Sequence, residues 1–112
     1  MTYTATPSRE EPSRAEVDAL QGPVLLEFGA GWCPHCQAIQ DRLARELADR
    51  PQVRHLKIED GRGKPLGRSF QVRLWPNLVF LREGRVLEQL ARPDLEEMAR
   101  AIRDLAAAEP QP

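Results

Sequence analysis

The chain has 112 residues, enough for one small domain with a sheet covered by a few helices and too few for two separate cores. Its 16 basic and 17 acidic side chains are interspersed and leave a formal charge of −1, which disfavours a nucleic-acid or anionic-membrane partner. The first residues lack both a basic region and an apolar core, and no later stretch approaches the roughly 18 apolar residues of a membrane span. A single soluble, cytoplasmic, monomeric domain over 1–112 is therefore expected.

In chain order, the ends up to about residue 8 and after about residue 107 are expected to fray, apart from a candidate edge strand at Thr2 to Ala5. Ser13 followed by Glu16 forms a capping box ahead of Val17 and Leu20, which predicts a helix over 13–21 stopped by Gly22-Pro23. Val24 to Phe28 is an almost continuous apolar run, the pattern of a strand buried on both faces, broken only by Glu27. From Cys33 to Asp49 the residues Ile39, Leu43 and Leu47 recur every four positions and predict an amphipathic helix. Val53 to Ile58 reads as a second buried strand and Glu59 to Lys64 as a solvated loop. A short helix is predicted over 65–72, with Leu66, Phe70 and Val72 inward. Strands at 78–81 and 86–90 flank Arg82-Glu83-Gly84-Arg85 in a hairpin pattern, and Asp94 with Glu97 caps a last helix carrying Leu95, Met98, Ile102 and Leu105.

The chemistry concentrates at Trp32-Cys33-Pro34-His35-Cys36, which contains both cysteines of the chain and joins the first apolar strand to the long helix. Zinc normally takes four Cys, His or carboxylate ligands. Here one cysteine pair, His35 and a distant His55 make a poor set, so no metal and no other cofactor is expected. A permanent structural disulfide across two intervening residues would constrain little chain entropy. A reversible dithiol/disulfide pair remains, with Cys33 at a helix start, where the dipole favours the thiolate, as attacking residue and Cys36 as resolving residue. Pro34 suits the first turn because its missing N–H would have no intrahelical partner there.

The element order and the Trp-Cys-Pro-His-Cys motif resemble the thioredoxin family over residues 2–107. The resemblance implies an α/β thioredoxin fold, with a central four- or five-stranded mixed sheet flanked by about four helices. It also implies a cis proline at Pro76, 40 residues after Cys36, with Trp75 offering its backbone N–H and C=O to an extended substrate. An ordinary trans proline opening an edge strand is the other reading. Trp32, Trp75 and Pro76 would line the substrate groove.

The same resemblance gives Glu27 the place of a buried acid beneath the resolving cysteine, where burial would raise its pKa toward neutrality for a proton relay. The alternative is a glutamate that simply reaches solvent. His35 gives a Pro-His dipeptide like that of the strongly oxidising DsbA branch, and its charge would stabilise the Cys33 thiolate; otherwise it is a solvated residue of small effect. Gly29 stands where the family has a bulky aromatic, Asp41 where it has a helix-kinking proline, and Arg92 where a glycine usually lets partners approach. His55 takes roughly the place of a lysine near the buried acid and is read as an ordinary strand residue. The expected activity is thiol–disulfide exchange with protein disulfide or dithiol substrates, recharged by thioredoxin reductase or the glutathione system. The competing reading is a redox-responsive adaptor that binds partners in the groove without turnover.

Overall fold

The computed structural model describes residues 3–7 and 10–107. The elements run α1 (Arg14–Asp18), β1 (Pro23–Gly29), α2 (Pro34–Ala38), α3 (Gln40–Ala48), β2 (Arg54–Glu59), α4 (Pro65–Ser69), β3 (Asn77–Arg82), β4 (Arg85–Ala91) and α5 (Leu95–Ala107). The four strands form one mixed sheet in the order β2-β1-β3-β4, with β1 parallel to β2 and the other pairs antiparallel.

The apolar run of β1 makes it an inner strand, covered on both faces. Leu25 points into a core layer with Leu43 and Leu47 of α3, Phe80 of β3, and Met98, Ile102 and Leu105 of α5. Val24, Leu26 and Phe28 point the other way, onto Val17 of α1, Leu66 of α4 and Phe70. Strand alternation therefore sends Glu27 to the same face as Leu25, beneath the helix that begins beside the cysteines.

Local signals hold well at the ends of elements. Ser13 and Glu16 exchange both capping-box hydrogen bonds, and the N–H of Glu97 donates to Asp94 at 2.7 Å. The hairpin turns on Glu83 and Gly84, both with positive φ (52° and 75°), as a tight two-residue connection requires. The predicted helix over 13–21 is limited to Arg14–Asp18, and the one over 65–72 to Pro65–Ser69 before Gln71 adopts φ 60°.

Two expectations change. Residues Tyr3 to Ala5 form no strand; Thr4 instead donates its N–H to Nδ1 of His55 at 2.7 Å, and the Tyr3 ring stacks on that imidazole. Side-chain anchoring replaces sheet pairing, so this part of the amino end is tied down; Thr2 and residue 8 lie outside the described residues, as does the chain after 107. The long helix is also divided at Ile39 although Asp41, not proline, stands in the kink position. There the Gln40 side chain reaches back into the helical ladder and donates Nε2–H to the Cys36 carbonyl at 2.7 Å, a side-chain intrusion of the kind that bends helices. This division yields five helical segments in place of about four.

Leu43 is fully buried between the sheet and α5. Leu43→Ala is expected to lower unfolding free energy by about 2–5 kcal/mol, the usual range for a leucine cavity in a core. Urea denaturation followed by circular dichroism measures it.

Candidate active site

Cys33 caps the start of α2 with extended backbone, and Pro34 occupies the first turn as its lack of an N–H predicts. The preceding loop is held by the N–H of Cys33 on the Ala30 carbonyl (3.1 Å) and by Gln37 on the Gly31 carbonyl (2.7 Å). Both cysteines are free and covered, at 4% and 5% exposure, and the Cys33 sulfur accepts the backbone N–H of Cys36 at 3.3 Å. Gly29 lies directly behind: a Cβ there would stand 2.6 Å from the Cys36 sulfur, so the missing aromatic leaves room that this cysteine fills.

The two thiols are strongly unequal. Burial would push the Cys33 pKa up, but hydrogen bonds from Cys36 and the His35 backbone, with the positive charge of Arg92, bring it below the ordinary thiol value. Cys36 is pushed up to about 12, first by burial, then by its interaction with Cys33 and by the charge of Glu27. The expected contribution of the His35 imidazole is not what the structure provides. That side chain is exposed, His35 acts on Cys33 through its backbone N–H, and the cation acting on the sulfur is Arg92.

Glu27 is 1% exposed, and so is no solvent-reaching residue. Its carboxylate takes a hydrogen bond from Gln40 Nε2 at 2.7 Å, lies 2.8 Å from His55 Nε2, and is 3.7 Å from the Lys57 ammonium, which faces it across the β1–β2 pairing. The Thr4 N–H occupies the other ring nitrogen of His55, so the ring proton sits on Nε2 and is donated to Glu27. Gln40 is equally constrained. Its oxygen accepts from Lys57 Nζ (2.9 Å) and the Tyr3 hydroxyl (2.6 Å), while its nitrogen serves Glu27 and the Cys36 carbonyl.

These donors reverse the expected shift. Burial raises the Glu27 pKa, but the His55 hydrogen bond, the positive charge nearby and Gln40 outweigh it, and the value falls below the ordinary carboxylate range. His55 is accordingly a buried partner of Glu27 and not an ordinary strand residue; Lys57, not His55, is the lysine beside the acid. Glu27 and Cys36 line one cavity, together with Gly29, Gln40 and Lys57.

On the opposite flank the Trp75-Pro76 peptide bond is cis, as the resemblance implied. Trp75 packs on the cluster of Ala30, Cys33 and Cys36, meets Trp32 edge to face at 5.6 Å between ring centres, and donates its indole N–H to Asp60 at 2.9 Å. Trp32 itself is 74% exposed. Asp60 fits there because Gly67 has no side chain; a Cβ at Gly67 would collide with its carboxylate. The Trp75 carbonyl, expected to be free for a substrate strand, instead accepts Nε–H of Arg92 at 2.7 Å. Arg92 tolerates the glycine position with φ 48°, its own N–H bonded to the Pro76 carbonyl at 2.7 Å. Sequence reading missed Gln40, Lys57 and Asp60, whose polar side chains on a helix face, a strand and a loop carry no motif.

An unequal thiol pair at a helix start, a buried acid behind it and a cis-proline loop beside it on a mixed sheet define an α/β dithiol–disulfide exchange protein. The thioredoxin family model matches residues 6–104, and the chain belongs to the thioredoxin family, whose members are protein thiol–disulfide oxidoreductases. Thioredoxin 2 from Pseudomonas aeruginosa PAO1, solved in its reduced form, is 50% identical and superposes with a TM-score of 0.80, covering 92% of this chain and 97% of that one. A thioredoxin from Haemophilus influenzae is 34% identical over 68 residues, 58% of this chain and 62% of that protein. A thioredoxin H-type from Ricinus communis is 27% identical over 82 residues, 73% of this chain and 70% of the relative.

Two outcomes follow from the electrostatics. Glu27→Gln should destabilise the fold by about 1–3 kcal/mol at neutral pH, because an amide cannot accept from all the donors aimed at this site. A carboxylate with a depressed folded pKa contributes stability above its unfolded pKa and loses it as pH falls through the folded value. The gap between wild type and Glu27→Gln should therefore narrow on acidification, as urea midpoints across the acidic range will show. Separately, Arg92→Ala should raise the Cys33 pKa more than His35→Ala does, read from thiolate absorbance against pH.

Proposed function

We propose that this protein is a cytoplasmic thiol–disulfide oxidoreductase that reduces protein disulfides through a mixed-disulfide intermediate. The observation that carries this reading is the inequality of the two thiols, one favoured as thiolate and the other held protonated. Cys33 is then the more readily ionised of the two and the better placed to act as nucleophile. Its thiolate attacks one sulfur of the substrate disulfide and displaces the other as a thiolate, forming the mixed disulfide.

That step alters Cys36. The hydrogen bond and charge of the Cys33 sulfur both raise the Cys36 pKa, and both are lost once Cys33 is bound covalently to substrate. Cys36 then attacks the Cys33 sulfur, its proton passing to the departing substrate thiolate rather than to Glu27, which its donors hold ionised. The substrate leaves with its second thiol, and Cys33–Cys36 remains as a disulfide. Two electrons from thioredoxin reductase or the glutathione system restore the dithiol; in the reducing cytoplasm the disulfide is transient. Trp32, Trp75 and Pro76 border the groove that holds the substrate, and Arg92 must release the Trp75 carbonyl before a strand can pair there.

Insulin reduction driven by dithiothreitol tests the activity: catalysis well above the dithiothreitol background is expected, and a rate equal to that background would favour the adaptor reading. Cys33→Ser should lose turnover completely. Cys36→Ser should retain attack and accumulate a covalent mixed disulfide, detected by intact-mass spectrometry. Accumulation in Cys33→Ser instead would reverse the two roles.

A further inference from the structure

The described arginines of this chain differ in their partners. Several away from the groove are paired: Arg42 with Glu46 and Glu96, Arg50 with Glu46, and Arg100 with Glu88 and Asp104. Beside Trp75 the situation is different. One cleft is lined by Asp60, Arg62, Arg68, Arg73 and the Trp75 ring, and none of its three guanidinium groups has an ion pair or side-chain hydrogen bond among the described residues. The single carboxylate there is already engaged by the Trp75 indole N–H. On the main-chain side of the same tryptophan, Arg92 is held by a neutral carbonyl and not by an acid.

Three arginines and one aspartate thus line the cleft beside Trp75, the residue that packs on the thiol cluster, and Arg92 lies on its main-chain side, in a chain whose formal charge is −1. The positive field is local and owes nothing to overall basicity. We propose that the cleft between Trp75 and Arg62, Arg68 and Arg73 is a recognition subsite for an acidic segment of the substrate protein, close in space to the disulfide being reduced. The inference rests on the oxidoreductase reading and adds the class of substrate that it favours.

The physical case is one of complementarity. A substrate carboxylate entering the cleft meets arginines with no internal partner to displace, so no existing ion pair must be broken. Arginine presents a planar fork matched to carboxylate geometry, and the indole beside it provides apolar surface for the adjoining segment. A lysine-bearing substrate meets at the same place the net repulsion of three arginines against one aspartate. Because these groups are exposed, the effect acts mainly on encounter and is screened by salt. Arg92 extends the selection toward the sulfur: once it leaves the Trp75 carbonyl, an acidic neighbour of the substrate cysteine replaces the acceptor it has lost.

Three disulfide peptides differing only in flanking Glu, Gln or Lys residues provide the test, with second-order rate constants measured on the reduced protein. The expected order is Glu, Gln, Lys, with a spread of about tenfold at low ionic strength that collapses near 0.5 M salt, where the Debye length is only about 4 Å. Arg73→Glu and the Arg68→Glu, Arg73→Glu double variant should reverse the order, while Arg45→Glu on α3, outside the cleft, should preserve it. Circular dichroism establishes that each variant folds. Redox-inert versions with Ser for Cys should quench or shift Trp75 fluorescence only when Glu-flanked. Equal rates for the three peptides, or an order that survives high salt or the charge reversals, would overturn the proposal. So would inorganic phosphate saturating the cleft with no discrimination among the peptides. Reaction of the Gln peptide reads the dithiol chemistry alone, so a charge-blind but active protein refutes this subsite and leaves the oxidoreductase standing.

Discussion

The arrangement of this protein depends on a carboxylate that has no access to bulk water. Glu27 lies in the central strand, and an ionised group in such a position is tolerated only when donors replace its hydration. Those donors come from different parts of the chain: Gln40 at the start of α3, and His55 and Lys57 from the neighbouring strand. Satisfying one buried acid therefore ties the cysteine-bearing helix to the sheet. It also recruits Thr4 and Tyr3, which orient His55 and Gln40, so the amino-terminal segment completes the site from behind.

Gln40 connects this network to the sulfur chemistry. One amide nitrogen serves both the Glu27 carboxylate and the Cys36 carbonyl, and it does so where the helix divides. The break in the helix, the position of Cys36 and the ionisation of Glu27 are consequently features of a single hydrogen-bonded unit. Above it, Cys33 lies among backbone donors and feels the charge of Arg92, while Cys36 feels the charge of Glu27. The difference between the two thiols is a difference of hydrogen bonding and of neighbouring charge; their residue type and exposure are nearly the same.

Arg92 shows how one substitution against the family pattern changes several properties together. At a position usually held by glycine it adopts a left-handed backbone, occupies the Trp75 carbonyl and places a cation near the reactive sulfur. With the unpaired arginines of the neighbouring cleft, it gives the groove a charge that the balanced composition conceals.

The sequence by itself determined the elements that local chemistry controls. A capping box, an apolar run, a four-residue helical period and a Glu-Gly turn each act over a few residues, so the helices, strands and hairpin were legible to within a few positions. The two cysteines and the proline 40 residues later carried the family and the centre of the site for the same reason: they are rare residue types at a distinctive spacing. Only the tertiary structure decided the partners. That His55 and Lys57 serve Glu27, that Gln40 divides the helix, that Thr4 anchors the amino end and that Arg92 rather than His35 charges the sulfur all depend on contacts between residues far apart in the chain. The direction of the Glu27 shift was misread for that reason. Burial follows from an apolar run, but the donors that reverse its effect are assembled only when the strands pair and the helix lies across them.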